Sequence, residues 1–135
     1  MSESVEFVVY GEPASKANSR RVMFNKKTKK PMVIKSKKAL DYVAAFALQC
    51  PQLPSPLEDN LSATITIYYA SRRPDLDESV ILDCMQSEVH IDKKSKVKTV
   101  IRNNIYLNDR QVKEKHIYWG LDKENPRCEV KIEKI

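Results

Sequence analysis

The sequence predicts an α/β (α+β) fold, a mixed β-sheet packed against helices, in a single domain spanning residues 1–135. Three observations carry that expectation. Leu61, Ala63, Ile65, Ile67 and Tyr69 alternate with polar or smaller residues, the period of a half-buried strand. Leu40, Val43, Ala44 and Ala47 recur at helical spacing after Ser36, and Cys128, Val130 and Ile132 alternate with charged residues near the C-terminus.

Val5–Tyr10 reads as an opening strand, rich in β-branched and aromatic residues and ended by Gly11 and Pro13. Val22-Met23-Phe24 and Met32-Val33-Ile34 flank the polar stretch 25–30, which predicts a hairpin whose turn is loaded with lysine. Ser36 is a candidate N-cap for the helix that Pro51 closes, and a short proline-rich connector follows. After the strand 61–69, Asp77 is placed to cap a short helix with Val80, Ile81, Cys84 and Met85 on one side. Residues 87–104 are ambiguous: Val97, Val100 and Ile101 fit a helix, whereas the lysines and Asn103-Asn104 fit a loop. Residues 112–119 read as a strand, 122–126 as a turn and 128–133 as a final strand, expected to form a hairpin with its predecessor.

Hydrophobic residues make up 41% of the chain and charged residues 31%, as in an ordinary globular protein rather than a disordered one. No apolar run approaches the roughly 20 residues of a membrane span, and Met1–Glu6 lacks the pattern of a secretory leader, so a cytoplasmic location with no membrane partner is expected. Cys50, Cys84 and Cys128 are odd in number, scattered and without a C-x-x-C pair, which predicts reduced thiols. His90 and His116 add no zinc-ligand spacing to them.

The net charge of +6 hides a sharper asymmetry, because residues 11–40 hold ten Lys or Arg against the single acid Glu12. A second run, 92–102, carries five cations and one acid. Either run alone is most simply a solvated face; two on one small domain suit a polyanion such as nucleic acid. Lys16, Arg20, Arg21, Lys26, Lys27, Lys29 and Lys30 are the candidate phosphate contacts of the first, with Lys93, Lys94 and Lys96 in the second. Most aromatic residues fall in strands, where core packing is expected; Phe24, beside the lysine turn, is the candidate for stacking on or wedging between bases.

Asp75 and Asp77 stand at i and i+2 in Pro74-Asp75-Leu76-Asp77, and a third acid, Asp109, lies in Tyr106-Leu107-Asn108-Asp109-Arg110-Gln111-Val112. Two acids on one side of an extended segment with one more from a distant element can form an oxygen cage for Mg²⁺, which suits phosphodiester hydrolysis. The same residues also fit turn and cap roles.

Three blocks together resemble the RusA-type Holliday junction resolvases. They are the opening strand with Gly11-Glu12-Pro13 and its basic continuation to Arg21, Pro74-Asp75-Leu76-Asp77 after a long strand, and Ile105–Val112 with its Asn108-Asp109 and Gln111-Val112. They run in the family's order over nearly the whole chain. The resemblance implies a bacterial or phage-encoded endodeoxyribonuclease of recombination and repair, a homodimer that resolves branched DNA, namely four-way junctions, by paired symmetric nicks. It implies Mg²⁺, with Mn²⁺ as a substitute, and Asp75, Asp77 and Asp109 as catalytic metal-binding acids. Three departures stand out: Glu78 stands for the family's Asn after the acid pair and is read as a first-turn helix acid rather than a further ligand, the family's catalytic lysine is replaced by Ile81, or by Ser79 in a second registration, and the first acid of its Asp-Asp pair is Asn108. Lys93, Lys94, Lys96, Lys98, Lys16 and Arg20 are candidates to supply the missing cation. A protein of the same fold that binds branched DNA or RNA but is catalytically inactive or differently specific is the alternative expectation.

Overall fold

The fold was described from a computed structural model covering residues 4–13, 20–72 and 74–135, with the side chains of Arg20, Val100 and Ile101 outside that description. Strands β1 (Ser4–Tyr10), β2 (Arg20–Asn25) and β3 (Lys30–Lys35) precede helix α1 (Lys37–Gln49). Then follow β4 (Leu61–Tyr69), α2 (Ser79–Cys84), β5 (Glu88–Ile91), β6 (Lys98–Arg102), β7 (Val112–Leu121) and β8 (Arg127–Lys134). The result is a mixed α+β fold: one four-stranded sheet in the order β1-β8-β4-β7 and two separate two-stranded ribbons, β2-β3 and β5-β6.

β4 takes an interior place in the sheet because its alternation is the strongest. Leu61, Ala63, Ile65, Ile67 and Tyr69 are all fully buried, and they pack with Cys128, Val130 and Ile132 of β8 on the face the helices cover. Tyr42 and Phe46 of α1, and Val80, Ile81, Leu82 and Met85 around α2, complete that core.

The expected β7-β8 hairpin does not form. β4 lies between them, parallel to β7 and antiparallel to β8, and the connecting turn arches over its end, where the Asp122 amide donates to the Tyr69 carbonyl (2.9 Å). Sequence adjacency loses here to burial, since the most apolar strand gains more from two neighbours than from an edge position.

α1 forms as its cap predicts, with Ser36 Oγ accepting from the Ala39 amide (3.2 Å). It ends at Cys50, whose extended backbone is what a following proline imposes. Its inward face differs from the expected stripe: Ala39, Tyr42 and Phe46 are buried, whereas Leu40 is 50% exposed and Ala44 lies outside. The larger aromatic rings bury more area than Leu40 and Ala44 and so set the helix's rotation. The segment 87–104 is neither helix nor loop but the β5-β6 hairpin. Glu78 occupies the cap position of α2, and Asp77, one residue earlier, makes the capping bonds. The cysteines are free thiols, Cys50 and Cys128 buried and Cys84 half-buried. Among the described residues no helix is long and apolar enough to cross a membrane.

Candidate nucleic-acid interface and acidic site

β4 delivers the chain into the acidic segment 74–78, which one buried hydroxyl holds in shape. Tyr69 Oη donates to the Asp75 carbonyl (3.0 Å) and accepts from the Asp77 amide (3.3 Å). Asp77 is 8% exposed, and its Oδ1 accepts from both the amide (3.0 Å) and the hydroxyl (2.7 Å) of Ser79. Asp75 is exposed.

Two further acids converge on this place, Glu12 and Glu78. Glu12 arrives from the segment after β1, its Oε2 accepting from the Ala70 amide (2.6 Å) and its Oε1 pairing with Lys38 (3.1 Å). Glu78 pairs with Lys115 of β7 (3.5 Å), which brings to the acidic segment a lysine that the sequence did not nominate. Burial raises the Tyr69 phenol above its ordinary 10.0; the Asp77 amide bond opposes that, and the charges of Asp77, Glu12 and Glu78 add to it.

Asp109 is held by a separate clip. Asn108 caps the short 3₁₀ turn Asp109–Gln111, its Oδ1 accepting from the Arg110 amide (2.9 Å). Gln111 Oε1 accepts from the amides of Leu107 and Asn108 (both 3.0 Å), while its Nε2 donates to the carbonyls of Leu57 (2.7 Å) and Asp59 (3.0 Å). The Asp109 amide donates to Gln86 Oε1 (3.0 Å), just beyond α2. Asn108 thus has a structural task that an asparagine performs well.

The three aspartates are not gathered into one cage. Asp109 lies just before β7, beside the start of β4, where Leu61 stands opposite Val112; Asp75 and Asp77 follow β4 in the chain, and the next residue, Glu78, reaches back to Lys115, opposite Ala63. Among the described residues no group of three or more His, Cys, Asp or Glu side chains is placed to hold a metal ion. What remains is an open arrangement of Asp75 and Asp77, and Mg²⁺ is commonly held by one or two carboxylates with water and substrate phosphate filling its other positions.

Of the candidate phosphate contacts, Arg21, Lys26, Lys27, Lys29 and Lys30 are exposed on the β2-β3 hairpin, and Lys93, Lys94 and Lys96 are exposed on the β5-β6 turn. Arg20 begins β2; Lys16 lies outside the described residues. Phe24 is 62% exposed beside the first lysine turn, but Tyr10, Tyr118 and Trp119 are also exposed, against the expectation that strand aromatics fill the core. His90 and His116 sit exposed on β5 and β7. No family model and no curated protein matches this chain.

Proposed function

We propose that this protein binds branched DNA through its lysine-bearing hairpins and hydrolyses phosphodiesters with the help of a divalent cation, Mg²⁺ or Mn²⁺, at Asp75 and Asp77. The observation that carries the proposal is the coexistence, on one small domain, of exposed cationic hairpins with a pinned acidic segment. The three ordered blocks that resemble the RusA-type resolvases support it, and with them a homodimer that nicks opposing strands of a four-way junction.

When bound, the cation supplies charge neutralisation and an activated water. The chain's own groups do the rest: Tyr69 and Ser79 fix the backbone and the carboxylate of Asp77, and the hairpin lysines hold the phosphates. Asp109 joins the same centre only if the clip at 107–111 moves on DNA binding.

The test uses a labelled four-way junction bound in EDTA and then given Mg²⁺. Cutting is expected from the wild type and lost in Asp75→Asn and Asp77→Asn with binding retained. Asp109→Asn reports whether the third acid takes part. Binding without cutting by the wild type refutes the hydrolytic half.

A further inference from the structure

The turns of the two hairpins are one piece of chemistry present twice. Asn25-Lys26-Lys27-Thr28-Lys29 and Asp92-Lys93-Lys94-Ser95-Lys96 align without a gap. In the first, Asn25 Oδ1 accepts from the amides of Lys27 (2.9 Å) and Thr28 (3.3 Å), and the Lys29 amide donates back to the Asn25 carbonyl (2.8 Å). In the second, Asp92 Oδ1 accepts from Lys94 (2.8 Å) and Ser95 (3.2 Å), and the Lys96 amide donates to the Asp92 carbonyl (2.9 Å). Each turn closes on a residue in the left-handed region, Lys29 at φ 56° and Lys96 at φ 62°, the only non-glycine residues with positive φ among those described.

That position favours glycine or asparagine, because a Cβ there crowds the following carbonyl. A turn selected only to join two strands has no reason to put lysine there, and this chain does so in both. The shafts below the tips are equally unlike core strands. Neither ribbon joins the main sheet, and both expose apolar side chains, Val22 at 68% and Val33 at 63% on one, Ile91 at 51% on the other. A bare two-stranded ribbon with cations at its tip fits the major groove of duplex DNA, about 12 Å wide.

α1 ties the two roots together. β3 runs through Ser36 straight into its first turn, and the Arg102 guanidinium at the end of β6 donates to the Ala47 carbonyl near its last. These anchor points are separated by roughly 17 Å along the helix axis, about half a turn of B-form duplex.

We propose that the two hairpins are a matched pair of prongs for double-stranded DNA, each resting its lysine tip on phosphates at a groove edge, with α1 setting their spacing. The inference rests on the nucleic-acid half of the function proposed above and is independent of hydrolysis.

Lys29→Gly, Lys96→Gly and the double variant test it, because glycine relieves the left-handed strain while removing one charge per turn. Binding of a fluorescent 24-base-pair duplex is measured by anisotropy in EDTA across a salt series, so cutting plays no part. Each single variant is expected to melt at a higher temperature than the wild type and to bind roughly threefold or more weakly, its log–log salt slope shallower by about one. The double variant is expected to lose about two units of slope. Raised melting with affinity and slope unchanged would make both turns structural and overturn the proposal, as would a loss confined to one hairpin. Tighter binding of polyglutamate than of duplex would assign the tips to an acidic protein and also overturn it. Failure of junction cutting, with these binding results intact, would count against the hydrolytic proposal alone.

Discussion

Tyr69 and Asp77 are joined through a fully buried phenol: the hydroxyl accepts from the Asp77 amide while donating to the Asp75 carbonyl two residues earlier. The last residue of β4 therefore shapes the segment that follows it. Tyr69→Phe keeps the ring in the core and leaves the buried Asp77 amide without its partner, a loss expected to lower stability by about 1–3 kcal/mol in urea denaturation. Junction cutting should fall with it, as the backbone that carries Asp75 and Asp77 loses its anchor. Unchanged stability would show that the hydroxyl bonds contribute nothing net.

The clip around Asp109 depends on Gln111, whose one amide group makes four hydrogen bonds to the backbone. Gln111→Leu removes all four and is expected to cost about 2–3 kcal/mol, discounted from the pairwise sum because the site is half-exposed. Faster amide exchange at Leu107 and Asn108 should accompany it, measured by hydrogen exchange.

Gly120 lies opposite Tyr68 on the parallel pair β4-β7, and a Cβ there would meet Tyr68 Cδ1 at 2.6 Å. The ring is not free to yield without loss, since the Arg127 guanidinium sits over it at 4.1 Å. Gly120→Ala is expected to destabilise by about 1–3 kcal/mol. Adding Tyr68→Ala should remove most of that penalty, so a double-mutant cycle measured by thermal unfolding should give strong coupling.

Burial pushes the thiols of Cys50 and Cys84 up from 9.0 to about 11 and about 12. The unfolded chain gives up these protons first, so the folded state is favoured in full below pH 9 and loses that advantage as the pH rises toward the folded values. Unfolding free energy should be flat in this respect through neutral pH and fall above about pH 9, with Cys50→Ala showing a weaker fall. A chemical-denaturation series from pH 7 to pH 10.5 checks it.

The parts legible in the sequence were those where one residue pattern dominates locally. β4 was visible because its two faces differ in polarity at every step, and α1 because Ser36 caps it and Pro51 ends it. The expected inward stripe of α1, Leu40, Val43, Ala44 and Ala47, leaves out Tyr42 and Phe46, whose ring area decides the helix's rotation. The β5-β6 hairpin was hidden by residues 97–101, whose apolar spacing suits a helix, while its turn carries the same side-chain-to-backbone chemistry that marked the lysine turn at 25–29. The place of β4 between β7 and β8 is a non-local choice that no adjacent pair of segments announces. For the same reason, the three aspartates could be picked out as acids in order, but nothing in their spacing tells how the fold places Asp109 relative to Asp75 and Asp77.

The most direct measurement is strand-by-strand mapping of nicks on a four-way junction, each strand labelled in turn, for the wild type and Asp77→Asn with Mg²⁺. Paired nicks at symmetric positions in opposing strands, absent from the variant although it still binds, are the result expected. An intact junction with the wild type, or the same nicks from Asp77→Asn, would contradict the central claim that the segment pinned by Tyr69 is a hydrolytic site.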